Sequence, residues 1–291
     1  MTPATTTAGT ATTDQVPAPA AANSGDSPAW LVVWALCRRE LVRFFRQRNR
    51  VIGALGQPLI FWVLFGFGLQ PSFRVPAQAG AEGMGSLEYL FPGTAVLIVL
   101  FTAIFTTISV IEDRRDGLLQ SVLVAPIPRW GMVLGKLLGG TLISLFQVLV
   151  FLLLGLTLNL SVSPVGFVSM IGLLFTLGLG LCGLGFVLAW RTDSVQGFHA
   201  VMSLLLMPMW LLSGAFFPDS GGWLGWVIRL NPLTYGVAGL RRLLYSADIS
   251  PALPANLPEL STCWAVTLVF ALLMFAAATW SARGRTTGDL L

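Results

Sequence analysis

From Leu90 to Ile111 the chain carries no Asp, Glu, Lys or Arg, and then Glu112, Asp113, Arg114, Arg115 and Asp116 follow as five consecutive charges. An apolar run of that length is what a helix needs to cross a bilayer, whose hydrocarbon core takes about 20 residues. Each charge would cost roughly 2.5–3.5 kcal/mol at the middle of a membrane helix. The chain is therefore expected to leave the membrane at Ile111. The alternation recurs: apolar runs at Val51–Leu69, Leu90–Ile111, Met132–Leu158, Phe167–Trp190, Phe198–Phe217 and Ser261–Ala282 predict six transmembrane helices. Only 10% of the 291 residues are charged and 55% are hydrophobic, whereas a soluble domain carries about 25% charge. The fold class is an all-α integral membrane protein.

The charged island has its own pattern. Asp113 can cap a short helix, with Asp116 in its first turn where the dipole favours a negative charge. Leu118, Leu119, Val122 and Leu123 fall on one face of that helix, and Pro126 and Pro128 stop it. Arg129 and Trp130 suit a return to the headgroup layer, ahead of a helix carrying Gly131, Gly135 and Gly139. A plain surface loop has no need of an exposed apolar stripe. Such a stripe asks for a lipid or protein partner.

Lysine and arginine set the orientation. With the N-terminus in the cytoplasm, thirteen of the seventeen Lys and Arg residues fall inside and only Arg74, Arg229, Arg241 and Arg242 fall outside. The positive-inside rule then places both termini and the charged loop in the cytoplasm. Trp264 and Trp280, ~24 Å apart along a helix, suit the two aromatic belts.

Residues 1–27 are rich in Ala, Thr, Pro, Ser and Gly. They are expected to be disordered, and without a basic start or apolar core they do not form a signal peptide. In residues 28–50, six arginines within thirteen positions (Arg38, Arg39, Arg43, Arg46, Arg48, Arg50) mix with Trp30, Trp34, Phe44 and Phe45. That mixture predicts an amphipathic helix lying in the interface, its cations among anionic lipid headgroups. Aromatics leading directly into a span argue against a nucleic-acid patch. Between the last two spans, Gly221–Leu230 and Leu233–Tyr245 are too short to cross. They read as a re-entrant or interfacial pair broken at Asn231-Pro232. Gly178, Gly180, Gly183 and Gly185 allow close helix packing, and Cys37, Cys182 and Cys263 form neither a disulfide framework nor a metal-site spacing.

Absences narrow the function. Gly131-Met-Val-Leu-Gly-Lys-Leu137 falls short of a phosphate-binding loop: three residues separate its glycines where four are needed, and Leu137 stands where a magnesium-binding hydroxyl belongs. The chain therefore carries no ATPase site, no cofactor site and no catalytic residue. No charge lies deep in a predicted span, against a proton-driven carrier. The single histidine, His199, is expected at an interface. The hydroxyls and amide of Thr102, Thr106, Thr107, Ser109, Thr141, Ser144, Gln147, Thr176 and Ser203 are expected mostly to bond neighbouring helices.

The run Glu112-Asp-Arg-Arg-Asp-Gly-Leu-Leu-Gln-Ser-Val-Leu-Val-Ala-Pro-Ile-Pro-Arg129, closed by Gly135-Lys136, resembles the cytoplasmic loop of ABC-2 type permease subunits of ABC transporters. Leu212-Ser-Gly-Ala-Phe-Phe-Pro218 and Asn231-Pro-Leu-Thr-Tyr235 with Arg241 resemble the same family's external hairpin. The resemblance implies a coupling helix that docks into a separate ATPase subunit. Gly117, Leu118, Leu119, Val122, Leu123, Pro126 and Arg129 would form that site, and Glu112, Asp113, Arg114 and Arg115 would lock it by charge pairing with the ATPase. Gly214, Pro218, Asn231, Pro232, Tyr235 and Arg241 would belong to a hairpin covering the outer end of the pathway. Arg38, Arg39, Arg43 and Arg46 would lie on an interfacial elbow helix. It further implies a plasma-membrane exporter subunit working with a second permease copy or a sister permease. ATP and magnesium would be held by the partner and the cargo would be amphiphilic. The alternative is a stand-alone ion- or proton-driven transporter; a lipid-directed membrane enzyme would need partners that His199 lacks.

Overall fold

The structure, a computed structural model, describes residues 29–68, 86–118, 128–158, 162–215, 222–245 and 257–283. Every regular element among them is a helix. Helices α1 (Ala29–Arg46) and α2 (Arg48–Gly68) are followed by α3 (Ser86–Thr106) and α4 (Ile108–Arg115), which join through Thr107. Next come α5 (Arg129–Leu152), tightening into a 3-10 turn over Leu153–Leu158, and α6 (Pro164–Arg191). Helix α7 (Val195–Trp210) ends in a π turn, Leu211–Ala215, and α8 (Gly222–Leu230), α9 (Pro232–Leu244) and α10 (Leu260–Arg283) complete the fold.

Five helices among the described residues are long and apolar enough to cross a membrane: Leu87–Arg115, Arg129–Gly155, Pro164–Arg191, Val195–Ala215 and Leu260–Arg283. They match five of the six predicted runs. The remaining run, Val51–Leu69, falls on α2, a helix of 21 residues that is not among the five. The tail of residues 1–27 lies outside the described residues.

The helix ends follow local chemistry. Ser163 and Ser194 each accept a hydrogen bond from the backbone N–H three residues on, at 3.0 Å, capping α6 and α7. Asn231 caps α9 in the same manner through Leu233 N–H, with Pro232 in the first turn. Pro208 sits inside α7, and the kink follows it at the π turn, where Gly214 takes φ +73°.

The predicted exit at Ile111 is not where the helix stops. Helix α4 carries Glu112 to Arg115 on as a further turn and ends where Gly117 adopts φ +72°, a conformation glycine takes without steric cost. Asp113 therefore caps nothing and lies in the last turn of α4, and Asp116 is a C-cap rather than a first-turn residue.

Helix α3 is the axis of the bundle: 83% of its most apolar stretch is buried, against 17% for α10. Glycine lets α6 approach both. A Cβ on Gly180 would come within 2.5 Å of the Phe270 ring and one on Gly183 within 2.8 Å of Met274 Cβ, both on α10. One on Gly185 would meet Thr107 Oγ1 at 2.7 Å. The polar residues inside the spans mostly do not bridge helices as expected. Thr106, Thr107, Thr141, Ser144 and Thr176 donate to carbonyls of their own helix, which satisfies a hydroxyl in an apolar setting without needing a neighbour. Thr102 bonds Gln147 between α3 and α5.

Helix α1 does not lie crosswise at the end of the spans, as a helix in the interface plane would. It runs beside α5 in the same direction. Ala29 faces Gly131, Val33 and Leu36 face Gly135, and Glu40 faces Gly139. Further along, the Phe45 and Phe146 rings meet edge-on with centroids 5.3 Å apart. The glycine stripe on α5 is the reason: its missing side chains form the slot that α1 fills.

A Cβ on Gly135 would stand 2.9 Å from the Val33 carbonyl oxygen, a backbone atom that cannot swing aside. Gly135→Ile is expected to cost about 1–3 kcal/mol and to lower the melting temperature of the purified chain in detergent. Gly53→Ala, with nothing within 4 Å of the new Cβ, should leave it unchanged or higher.

Candidate coupling site

The charges of the island turn inward. Asp113, whose side chain is 0% exposed, receives Arg39, Arg43 and Lys136 at once. Arg39 Nη1 donates to Asp113 Oδ2 at 2.9 Å while Nη2 holds Oδ1, a bidentate fork, and Arg43 Nη1 donates to Oδ1 at 3.0 Å. Lys136 Nζ bonds the other carboxylate oxygen, Glu40 Oε1 at 3.0 Å and Ser109 Oγ at 3.5 Å. Arg43 Nη2 pairs with Glu112 Oε2 at 2.9 Å. Three cations meet three carboxylates across α1, α4 and α5. This clasp answers the cost of carrying α4 past Ile111. The hydrogen bond with Asp113 raises the pKa of Arg39 despite burial, so that end of the clasp stays charged. Burial, followed by the nearby Glu40 carboxylate, pushes the Cys37 thiol up, which leaves it an inert core residue.

Arg114 faces the other way. Its Nη2 donates to the Trp190 carbonyl at 2.7 Å, its Nη1 to that of Thr192 at 3.3 Å, and its guanidinium lies 5.6 Å from the Trp190 ring centroid. Arg114 thereby fastens α4 to the turn between α6 and α7. Beyond the loop, Arg129 Nη1 donates at 3.1 Å to the Ala282 carbonyl in the last turn of α10, where a cation also suits the helix dipole. Both ends of the loop are thus anchored to the bundle. Leu118, the first residue of the predicted stripe, is 37% exposed. Leu119, Val122, Leu123 and Pro126 lie outside the described residues.

The arrangement revises the sequence reading in two ways. Glu112 and Asp113 have charge partners within the chain, and Arg114 has carbonyl partners, so the three build the base of the loop. Lys136, the chain's single lysine, lies on a helix and is committed to two carboxylates, Glu40 and Asp113. Glu40 and Lys136 were missed as site residues. The signal was present: a lone lysine in an apolar run, and a lone acid among the arginines of residues 29–50, each demand a buried counter-ion.

At the opposite end of the bundle the predicted hairpin residues converge. Asn231 Nδ2 donates to the carbonyls of Met209 and of Leu212, the latter at 3.1 Å, joining the cap of α9 to the kink that Gly214 permits. Tyr235 donates to the Arg229 carbonyl at 2.9 Å. Arg241 is buried; its Nη2 donates to the Ala215 carbonyl at 3.2 Å, and its guanidinium stacks 4.3 Å from the centre of the Tyr89 ring. Pro218 lies outside the described residues.

A family model described as ABC-2 type transporter matches residues 32–245, well over half of the chain. The chain belongs to the ABC-2 type transporter family. This ABC-2 permease is 28% identical over 220 residues to the transport permease ycf38 of Cyanophora paradoxa, a match covering 74% of each chain. It is 26% identical over 175 residues to the multidrug ABC transporter permease YbhR of Escherichia coli K12, covering 57% of this chain and 46% of that one. It is 23% identical over 219 residues to the daunorubicin resistance ABC transporter permease protein DrrB1 of Streptomyces coeruleorubidus, covering 71% and 72%. With its apolar helices, the ABC-2 permease is a multi-pass membrane protein and a transport subunit of an ABC transporter.

Asp113→Asn removes the charge that three cations share. Breaking a buried pair costs about 3–5 kcal/mol. Here the loss should fall toward the low end, because Arg39 and Arg43 are partly exposed to solvent. A lowered melting temperature is the readout, and Asp113→Glu, which keeps the carboxylate charge among the same three cations, should lose less.

Proposed function

We propose that this permease is half of the pathway of an ATP-driven exporter in the cell membrane. Two copies, or one copy with a sister permease, enclose the pathway, and six spans per subunit include α2. ATP and magnesium are held by separate ATPase subunits. The orientation follows the basic residues: Arg39, Arg43 and Lys136 meet at Asp113, Arg115 reaches the Asp193 carbonyl and Arg129 the Ala282 carbonyl at one end, against Arg229, Arg241 and Arg242 on α8 and α9 at the other. That distribution supports cytoplasmic termini and a cytoplasmic 112–130 loop. Amphiphilic cargo is the reading supported by relatives whose names speak of multidrug and daunorubicin resistance and by the apolar spans.

The observation that carries the coupling proposal is the anchoring of the loop. A segment whose two ends are fastened by Asp113, Arg114 and Arg129 passes a push from outside into α1, α4, α5, α6 and α10 together. When ATP draws the two ATPases together, the stripe Leu118, Leu119, Val122 and Leu123 moves with them. The anchored helices then tilt, opening or closing the space between the two permeases. The hairpin α8–α9 covers the outer end. Membership in a family of ABC transporters argues against a stand-alone ion- or proton-driven carrier.

The test is co-purification with the ABC ATPase encoded nearest to this chain, reading ATP hydrolysis with residues 118–128 exchanged for a Gly/Ser linker. That exchange spares the clasp. Association or regulated hydrolysis should be lost, and a complex that forms and hydrolyses ATP as before would rule out docking through this loop. Leu119→Asp or Leu123→Asp should abolish coupled transport while the melting temperature of the chain stays unchanged; wild-type transport in either variant would be equally decisive against it.

A further inference from the structure

Arg39, Val42, Arg43, Arg46 and Gln47 line one open groove of about 400 Å³ on α1. Their spacing puts all five on one face of the helix, while Leu36, Cys37, Glu40 and Phe44 are buried on its other side. Three arginine side chains line the groove, and their charges are not all matched. In the clasp Arg39, Arg43 and Lys136 are balanced by Glu40, Glu112 and Asp113. Arg46 makes no ion pair among the described residues, so the groove carries a surplus positive charge.

The position of Arg46 gives that surplus a consequence. Its neighbour Phe45 packs on Phe146, ten residues beyond Lys136 in the apolar part of α5. Helix α1 has by then carried its arginines up the flank of a membrane-crossing helix. A guanidinium there is stabilised by reaching a phosphate, which its planar fork binds with two hydrogen bonds. Val42 and Phe45, 43% and 45% exposed, offer apolar surface beside the charges. Acidic protein surface would use the cations but leave this apolar rim uncovered.

We propose that Arg39, Arg43 and Arg46 form a headgroup site for an anionic phospholipid. The phosphate sits among the guanidiniums and the acyl chains lie over Val42 and Phe45. The inference rests on the proposed placement of the permease in the cell membrane and is independent of ATPase docking. Because Arg39 and Arg43 also hold Asp113, the lipid and the clasp draw on the same donors. A bound headgroup therefore acts on the base of the 112–130 loop.

The full-length chain would be placed in nanodiscs of phosphatidylcholine with graded phosphatidylglycerol, and retained lipids counted by native mass spectrometry. Phosphatidylglycerol should be retained preferentially. Arg46→Gln should weaken that preference about fivefold, the effect of one basic residue at an anionic surface, and Arg38→Gln should leave it within about twofold. Arg38 is exposed on the same helix but does not line the groove, so it removes the same charge from a different place. Asp113→Asn, which frees donors of Arg39 and Arg43, should strengthen retention. Equal losses for Arg46→Gln and Arg38→Gln, or no preference in the wild type, would overturn the site. Inorganic phosphate that displaces the lipid at equal concentration would make free phosphate the ligand and overturn the lipid assignment. A chain that retains the lipid but fails to bind the ATPase would sink the docking proposal and leave this one standing.

Discussion

A single buried carboxylate organises the Arg129 end of this molecule. Asp113 accepts from a guanidinium fork, a second guanidinium and an ammonium, and those cations come from two other helices. A carboxylate with no exposure would be prohibitively costly alone, and so would Lys136 in an apolar helix. Together, with Glu40 and Glu112 completing the balance, they let the chain run a helix past the apolar stretch and finish it against its neighbours. Helix α1, the end of the central rod and the start of α5 are held by this one junction.

Two features make the junction possible, and neither is electrostatic. Gly131, Gly135 and Gly139 bring α1 close enough to α5 for Glu40 to reach Lys136. Gly117, with its positive φ, ends α4 immediately beyond the charges, so that Leu118 begins the loop at a defined point. Backbone approach and helix termination set the distances, and charge pairing then selects the register in which α1 sits.

The opposite end works by different means. Arg241 is buried among carbonyls and against Tyr89, and Asn231 ties two helices through three hydrogen bonds. The carbonyls of Met209, Leu212 and Ala215 that they reach lie at or beside the π turn after Pro208, where Leu212 and Gly214 leave helical φ/ψ. A kink that presents acceptors and side chains that occupy them belong to one design. The hairpin is held in place by the irregularity of the helix it covers.

The sequence alone determined the helical class, the approximate place of five membrane-crossing helices, the two short helices broken at Asn231-Pro232 and the family. These rest on hydrophobic run length, turn residues and a contiguous motif, all properties of neighbouring positions. Glycine spacing was also legible as a packing surface, though not what would pack on it. The tertiary structure decided which charges meet. Arg39 and Asp113 are 74 residues apart, and a cation in an interfacial pattern looks the same whether it faces lipid or a distant carboxylate. It likewise decided that α1 lies along α5, because a glycine stripe states that something comes close without naming it. Run length shows where a helix is affordable in lipid; where it stops past Ile111 depended on counter-ions that only folding brings within reach.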